Sequence, residues 1–275
     1  MTDRYTSGKL LSLFYHTNLP LMYLAKYLGS LLLVSSFFGC STTENPVTQS
    51  QRVYGPTVPM GNGTARTWFL GDNQGNPASI GITMSKGALD NLPTTLPETA
   101  YMLALPDEAT SKTPYKHVMI DWNPQGHEPS KIYTLPHFDF HFYTQPMTET
   151  MAIPAYTATT AAKFDNVPVS VYMHSDFAKG PGGVPMMGAH WSDMTSPEFK
   201  GSTFTETFVF GSYDGKVTFW EQMVTMDYLK TNPTLDKVIK LPAQYQTPGY
   251  YPTRYSIRTN ADGSQDIALD AFVKR

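Results

Sequence analysis

Short runs of alternating apolar and polar residues, separated by Pro, Gly, Asn and Asp, follow one another along the chain from Thr64 onward. Such runs, rich in Val, Ile, Thr, Tyr and Phe, are typical of β-strands. We predict ten strands, at 65–70, 79–84, 101–105, 117–122, 132–143 with a break near Pro136, 167–174, 203–210, 216–223, 255–259 and 266–272. Short helices are predicted at 88–92, 148–153 and 225–231. An open sheet of so many strands curls or splits, so the pattern predicts an all-β barrel or two-sheet sandwich, cupin-like or jelly-roll-like.

One hairpin is specified by Asp214-Gly215, the pair that a two-residue type I′ turn prefers. Counting back from this turn pairs Phe208 with Glu221 and places Glu206 and Glu221 on the same, otherwise apolar, face. Their Cβ atoms would then lie about 7–8 Å apart. Two alternatives stay open: the register shifts by one residue at the turn, or both glutamates lie at a wet rim.

The segment PHFDFHFY, residues 136–143, alternates without interruption, with Phe138, Phe140 and Phe142 on one side. The other side carries His137, Asp139, His141 and Tyr143, and none of the Lys, Glu, Thr or Ser residues usual on a solvated face. At about 3.3 Å per residue, His137 and His141 lie roughly 13 Å apart, too far to share one ion. Asp139 therefore pairs with one histidine at a time in a metal site. The alternative is an ordinary half-exposed strand.

The remaining ligands of such a site must come from elsewhere in the chain. We predict a metal site formed by His137, Asp139, His141, His190 and Glu221. Further donors, as alternative ligands or as partners of the ligands, are His127, Glu128 and Glu206. Imidazoles with carboxylates suit zinc, iron, manganese or copper, and the spacing does not select among these divalent ions.

The N-terminal segment predicts export. Leu21 to Phe38 is an apolar run that ends at Gly39-Cys40, and its apolar centre is shorter than the ~20 residues of a spanning helix. VSSFFGC, residues 34–40, resembles a bacterial lipobox, in which the cysteine is lipidated. The alternative is a signal peptide without lipid. Met22 in place of Met1 would give a signal of more ordinary length.

Cys40 is the one cysteine of the chain, so an intramolecular disulfide is excluded. We predict a signal peptide over 1–40, a flexible tether over 41–63 and one β domain over 64–275. A mature chain beginning at Cys40 carries a net charge of about −5. It has no basic stripe, which argues against nucleic acid as a partner. The predicted partner is a membrane of the bacterial cell envelope, on the periplasmic or outer-membrane side, reached through a lipid anchor.

The motifs GHEP, PHFDFHFY, MGAHWSD and GSYDGK together resemble a family of bacterial exported and envelope β-proteins of unassigned function. That family includes a ring-forming Thermus protein under extracytoplasmic sigma-factor control. The resemblance covers residues 64–228 and implies a β fold, export and a homo-oligomeric ring. It implies no substrate.

A second resemblance is to the cupins, small β barrels that hold a metal through two His, a Glu and a later His. The chain differs in having His-x-Asp-x-His in place of His-x-His, and in lacking a matching glycine after Glu149.

Three functional hypotheses follow. The first is a cell-envelope lipoprotein with a transition-metal site inside a β barrel, acting on an unspecified small molecule or on none. The second is a non-enzymatic, ring-forming or partner-binding lipoprotein. The third is a metal-independent hydrolase that uses Glu206 and Glu221 as an acid/base pair. The absence of a Gly-x-Ser-x-Gly motif, and of any cysteine outside the signal, argues against Ser or Cys nucleophiles.

Overall fold

The computed structural model describes residues 51–275. The predicted signal peptide, Cys40 and the first part of the predicted tether, up to residue 50, lie outside the described residues. Antiparallel strands form two large sheets and one small pair. The six-stranded sheet has the order β1 (Arg52–Met60), β2 (Gly63–Gly71), β3 (Pro77–Met84), β14 (Gln265–Asp270), β13 (Arg254–Thr259) and β11 (Leu235–Val238).

The seven-stranded sheet carries the polar strand near its centre. Its order is β4 (Thr99–Ala104), β5 (His117–Asn123), β6 (His137–Tyr143), β10 (Lys216–Thr225), β9 (Glu206–Tyr213), β8 (Ala189–Asp193) and β7 (Phe177–Lys179). The small pair is β12 (Tyr250–Tyr251) with β15 (Val273–Lys274). The helices are short: α1 (Asp107–Lys112), α2 (Met147–Met151), α3 (Ala161–Asp165) and α4 (Met226–Lys230). Single 3₁₀ turns occupy Ser170–Tyr172 and Pro197–Lys200.

One hydrophobic core joins the two large sheets. Ile82 and Ile267 of the first sheet belong to the same buried cluster as Phe140 and Trp220 of the second. The Gln222 side chain donates a 2.9 Å hydrogen bond to the Ala268 carbonyl, across that core. The fold is therefore all-β, as predicted, and has the layers of a sandwich. Within residues 51–275 the sheets do not close into a barrel, so the barrel alternative is wrong.

The β structure begins earlier than predicted. We assigned 41–63 to a tether, but Arg52–Met60 is an edge strand paired with β2. This strand contains Pro56 and Pro59, which are tolerated because an edge strand need not use every N–H. The Arg52 guanidinium holds this strand in place, 2.7 Å from Asp266 and over the Trp68 ring.

Two predicted strands are shorter or absent. The run predicted at 132–143 is a strand only over His137–Tyr143, and the residues before it form a loop. The run predicted at 167–174 contains a 3₁₀ turn at Ser170–Tyr172. Pro136 and Pro168 lack the N–H that a central strand would donate, which explains both outcomes.

The β9–β10 hairpin contains an irregularity that the turn does not reveal. Tyr213 pairs with Lys216 as predicted, but between Val217 and Phe219 the register shifts by one residue. Glu221 therefore lies opposite Val209, and Glu206 lies opposite Val224. A one-residue shift exchanges the faces of every later residue. Glu206 and Glu221 consequently lie on opposite faces, and the predicted acid/base pair is wrong.

Candidate metal centre

The polar row of β6 lies on the outer face of the seven-stranded sheet. Its phenylalanines point into the sandwich core, so alternation places His137, Asp139 and His141 on the opposite side. These three side chains are nevertheless at most 4% exposed. Two small apolar clusters flank the row, one including Tyr143 and Phe219 and the other including Tyr133, Phe204 and Met223. The row is therefore neither a wet surface nor the interior of a barrel.

Three buried carboxylates meet on this face. Asp121, Asp139 and Glu221 are 2%, 4% and 1% exposed. Among the described residues, none of the three forms an ion pair with Lys or Arg, and their ion-pair partners are histidines. A buried carboxylate must be protonated, paired or bound to a cation. This face is therefore suited either to binding a cation or to keeping its carboxylates and histidines protonated.

The first cluster, the Glu221 triad, consists of His141, His190 and Glu221. Strand pairing brings it together, because Glu221 of β10 lies directly across from His141 of β6. Glu221 Oε2 lies 3.5 Å from His141 Nε2 and 3.8 Å from His190 Nε2, and the Oε2 atom is buried without a hydrogen-bond partner. Ligand atoms about 2.0–2.2 Å from one tetrahedral ion lie about 3.3–3.6 Å apart. These spacings are too long for hydrogen bonds and close to those of ligands around an ion.

Asp121 supports this triad from the neighbouring strand β5. Its Oδ2 atom lies 3.2 Å from His141 Nδ1, on the side of the ring away from Glu221. A carboxylate in that position fixes the tautomer and the orientation of a metal-binding imidazole. Asp121 was not among the predicted site residues. Its position in the alternating strand HVMIDWN could have indicated it only if the pairing of β5 with β6 had been known.

The second cluster, the Asp139 triad, consists of His127, His137 and Asp139. His137 Nε2 lies 3.2 Å from Asp139 Oδ1, and His127 Nε2 lies 3.1 Å from Asp139 Oδ2. Asn123 donates a further 2.8 Å hydrogen bond to Oδ2 and so orients the carboxylate. His127 comes from the loop between β5 and β6. From the sequence, His127 is predicted only as an alternative ligand or a partner of the ligands, because the path of that loop depends on the tertiary structure.

Burial and mutual charge shift the acidities within the Glu221 triad. Burial raises the pKa of Glu221 to about 8. Burial opposes protonation of His141, but the Glu221 and Asp121 carboxylates outweigh it and raise its pKa to about 9. Burial and the nearby positive charge of His141 lower the pKa of His190 to about 3. At neutral pH His190 therefore keeps a free lone pair, while Glu221 and His141 hold protons that a metal ion would displace.

Burial and neighbouring groups also shift the pKa values of Asp139 and His127 in the Asp139 triad. Burial raises the pKa of Asp139, but the electrostatic effect of the adjacent His137 ring and a hydrogen bond from His127 outweigh it and hold that pKa well below its ordinary value. Burial also opposes protonation of His127, but its contact with Asp139 raises the pKa to about 9. Asp139 therefore carries its negative charge at neutral pH, next to two imidazoles.

The Phe219 ring packs against both histidines of the Glu221 triad. The Phe219 ring meets the ring of His141 at 4.8 Å and that of His190 at 5.2 Å between centroids. Phe219 fits there because Gly211 lies opposite it, and a Cβ on Gly211 would come within 1.9 Å of the Phe219 ring. Gly211 thus leaves the space in which Phe219 positions both imidazoles.

Both triads face one cavity of about 600 Å³. His127 and Asp139 of one triad and His190 of the other line it, together with Asp121. Its other walls include Tyr133, Val184, Met187, Val209 and Met223, and neither Lys nor Arg lines it. An ion at either triad would therefore be reached from the same mainly apolar space.

The five predicted ligands all lie on this face, but they divide between two clusters. Asp139 serves His127 and His137, and His141 lies with His190 and Glu221. Glu128 lines the cavity, where its carboxylate accepts hydrogen bonds from Ser130. Glu206 is not part of the site, because it lies on the other face, bound to Lys237 and to the Tyr255 hydroxyl.

Comparison with known protein families found a match to part of the chain. The family model described as "TTHB210-like: Hypothetical protein TTHB210" matches residues 72–122. This segment is similar to that family; it spans β3 to β5 and contains Asp121, but neither triad. No curated protein and no solved structure gave a significant match to the chain. Within residues 51–275, no helix has both the length and the apolar character needed to cross a membrane.

Proposed function

We propose that the protein binds a divalent transition-metal ion through His141, His190 and Glu221. The observation that carries this proposal is Glu221 Oε2, which is buried, has no hydrogen-bond partner and lies between two imidazole Nε2 atoms at 3.5 and 3.8 Å. Two imidazoles and one carboxylate form a common ligand set for catalytic zinc and for non-haem iron, and such sets leave coordination positions open.

Each residue of the Glu221 triad has a distinct part in this proposal. Glu221 supplies the negative charge, and Asp121 fixes His141 so that its Nε2 faces Glu221. His190 lines the cavity, so the open side of the site faces that space. A bound ion there would act as a Lewis acid toward water or a small molecule in the cavity.

Elemental analysis of the purified protein, loaded with zinc, iron, manganese or copper and then desalted, tests the proposal. We expect stoichiometric metal in the wild type and its loss from this site in Glu221→Gln. Glu206→Gln is the matched control, because Glu206 lies on the other face of the same hairpin and its loss should leave the metal content unchanged. Wild-type protein without stoichiometric metal would end the proposal.

A second candidate function uses the polar face of β6 and its neighbours without a metal ion. The His127–Asp139 distance of 3.1 Å also suits a hydrogen bond between an imidazolium and a carboxylate. The polar face would then be a proton-retaining network in a structural, partner-binding or ring-forming protein. Light scattering of the metal-free protein would test the oligomer, and a defined ring that binds no metal would favour this candidate.

We also propose that the chain is exported and anchored in the bacterial envelope by a lipid on Cys40. The apolar run that ends at Gly39-Cys40 supports this location. Labelling of growing cells with a radioactive fatty acid should mark the wild-type protein and leave Cys40→Ser unlabelled. Equal labelling of both, or of neither, would contradict the anchor.

A further inference from the structure

We infer that the Asp139 triad, formed by His127, His137 and Asp139, binds a second metal ion beside the first. The proposal goes beyond a single ion at Glu221, because the two triads have no ligand in common. Both contain two imidazoles and one carboxylate, and in each triad all the donor atoms lie within 4.8 Å of one another.

The two histidines of this triad have defined tautomers. The Nδ1 atom of His127 lies 2.6 Å from the Glu128 carbonyl oxygen, and the Nδ1 atom of His137 lies 2.6 Å from that of Leu135. A carbonyl oxygen can only accept, so each Nδ1 must carry the ring proton. In a neutral ring this leaves a lone pair on Nε2, and both Nε2 atoms are directed at Asp139.

The His137 and Asp139 side chains meet without a well-aligned hydrogen bond. His137 Nε2 and Asp139 Oδ1 are 3.2 Å apart, yet both atoms are buried and neither has an aligned hydrogen-bond partner. Protonating both rings would place two positive charges on imidazoles whose centroids are only 4.6 Å apart. One cation among the three side chains satisfies both nitrogens and the carboxylate without that repulsion.

The groups around the Asp139 triad hold its three side chains in place, as groups around metal ligands do. Asn123 holds the Asp139 carboxylate through a 2.8 Å hydrogen bond, and backbone carbonyls hold both imidazoles. Aromatic rings pack against the histidines, with Phe204 at 5.4 Å from His137 and Tyr133 at 6.0 Å from His127. Partners of this kind orient metal ligands and strengthen their binding.

The two triads adjoin each other. Asp139 and His141 are two residues apart on β6, which corresponds to about 6.6 Å along the strand. His127, Asp139 and His190 line the same cavity. A small molecule in that cavity would therefore meet two ions, one from each triad.

Titration of metal-free protein with cobalt(II) chloride, followed by visible absorption and by elemental analysis after desalting, tests the inference. We expect two equivalents in the wild type, one in His127→Ala and one in Glu221→Gln. His127 is the ligand to remove first, because its side chain is 37% exposed and its loss should not prevent folding. His174→Ala, which removes a histidine outside both triads, should keep two equivalents. Circular dichroism checks that each variant is folded.

Three results would overturn the second ion, and they are distinguishable from failure of the first. One equivalent in the wild type, lost in Glu221→Gln but kept in His127→Ala, would leave the Glu221 site standing alone. One equivalent lost in either variant would mean a single ion shared by both triads. No bound cobalt in the wild type would remove both sites.

Discussion

On one face of β6, Phe138, Phe140 and Phe142 pack into the core shared by the two sheets, and on the other face His137, Asp139 and His141 lie beneath loops. Both faces are almost completely buried. The apolar face is stabilised by burial itself, because removing carbon from water is favourable. The polar face gains nothing from burial unless its charges are compensated. Burial alone therefore does not reveal what a strand face is for.

The largest expected effect comes from the apolar face. Phe140→Ala removes a fully buried ring and should destabilise the protein by about 3–5 kcal/mol. The loss should be the same with chelator and with saturating metal, because the change lies in the sandwich core. Denaturant unfolding measures it, and Val238→Ala at an exposed strand position is the control. A loss that appears only in the presence of metal would contradict the separation of the two faces.

A substitution on the polar face should, in contrast, change the stability of the protein mainly when metal is present. Glu221→Gln replaces a carboxyl group whose pKa is raised to about 8 by burial, so at pH 7 the amide mimics its neutral form. Without metal, its stability should stay within about 1 kcal/mol of the wild type. At a free ion concentration 100 times the Kd, the wild type should gain about 2.7 kcal/mol for one site, which the variant should lose. Thermal melting with and without zinc measures both values, and equal metal-induced shifts in both proteins would contradict the assignment.

Gly211→Ala should reduce both the stability of the fold and the metal affinity of the Glu221 triad. The added Cβ would overlap the Phe219 ring, and relieving that overlap should cost about 1–3 kcal/mol. Because Phe219 packs on His141 and His190, metal affinity at the Glu221 triad should fall as well. Gly71→Ala, where an added Cβ makes only ordinary contacts, should change neither quantity. Unaltered cobalt binding in a measurably destabilised Gly211→Ala would show that Phe219 does not position the ligands.

The stability of the metal-free protein should also depend on pH. The folded-state pKa values of Glu221, about 8, and His141, about 9, lie above their ordinary values of 4.5 and 6.5. The stabilisation from the Glu221 proton is fully present below pH 4.5 and is lost toward pH 8, while that from the His141 proton is lost between pH 6.5 and 9. Stability should thus fall above pH 6.5, by at most about 1.4 kcal/mol per pH unit for each proton.

His190 and His117 do not disturb that window. Burial lowers their pKa values to about 3 and about 4, so they reduce stability only below pH 6.5. Metal affinity should rise over the range in which metal-free stability falls, because the ion displaces protons. Calorimetry at pH 6.5 and 8 in chelator measures the first trend, and a melting temperature that rises with pH there would contradict the assigned protons.

Much of the strand structure could be predicted from local sequence patterns, because alternation along a strand depends on residues that are neighbours in the chain. Alternation in PHFDFHFY predicted both faces of β6, and the rise per residue predicted that His137 and His141 do not share one ion. A one-residue register shift was an open alternative, but its position between Val217 and Phe219 could not be predicted. The bulge satisfies the packing of Phe219 across Gly211 and leaves no signal in the Asp214-Gly215 turn. Glu206 was misassigned for that reason.

The sequence by itself determined an all-β chain, the strand that carries the site and the kinds of donor that it offers. Only the tertiary structure decided that the polar face lies outside the sandwich and yet is buried, and that its donors divide into two triads. The physical reason is that strand alternation is set by local backbone geometry. The joining of His127, His190 and Glu221 to β6 depends on strand order, on one bulge and on the path of a loop, each of which is fixed by contacts between residues distant in the chain.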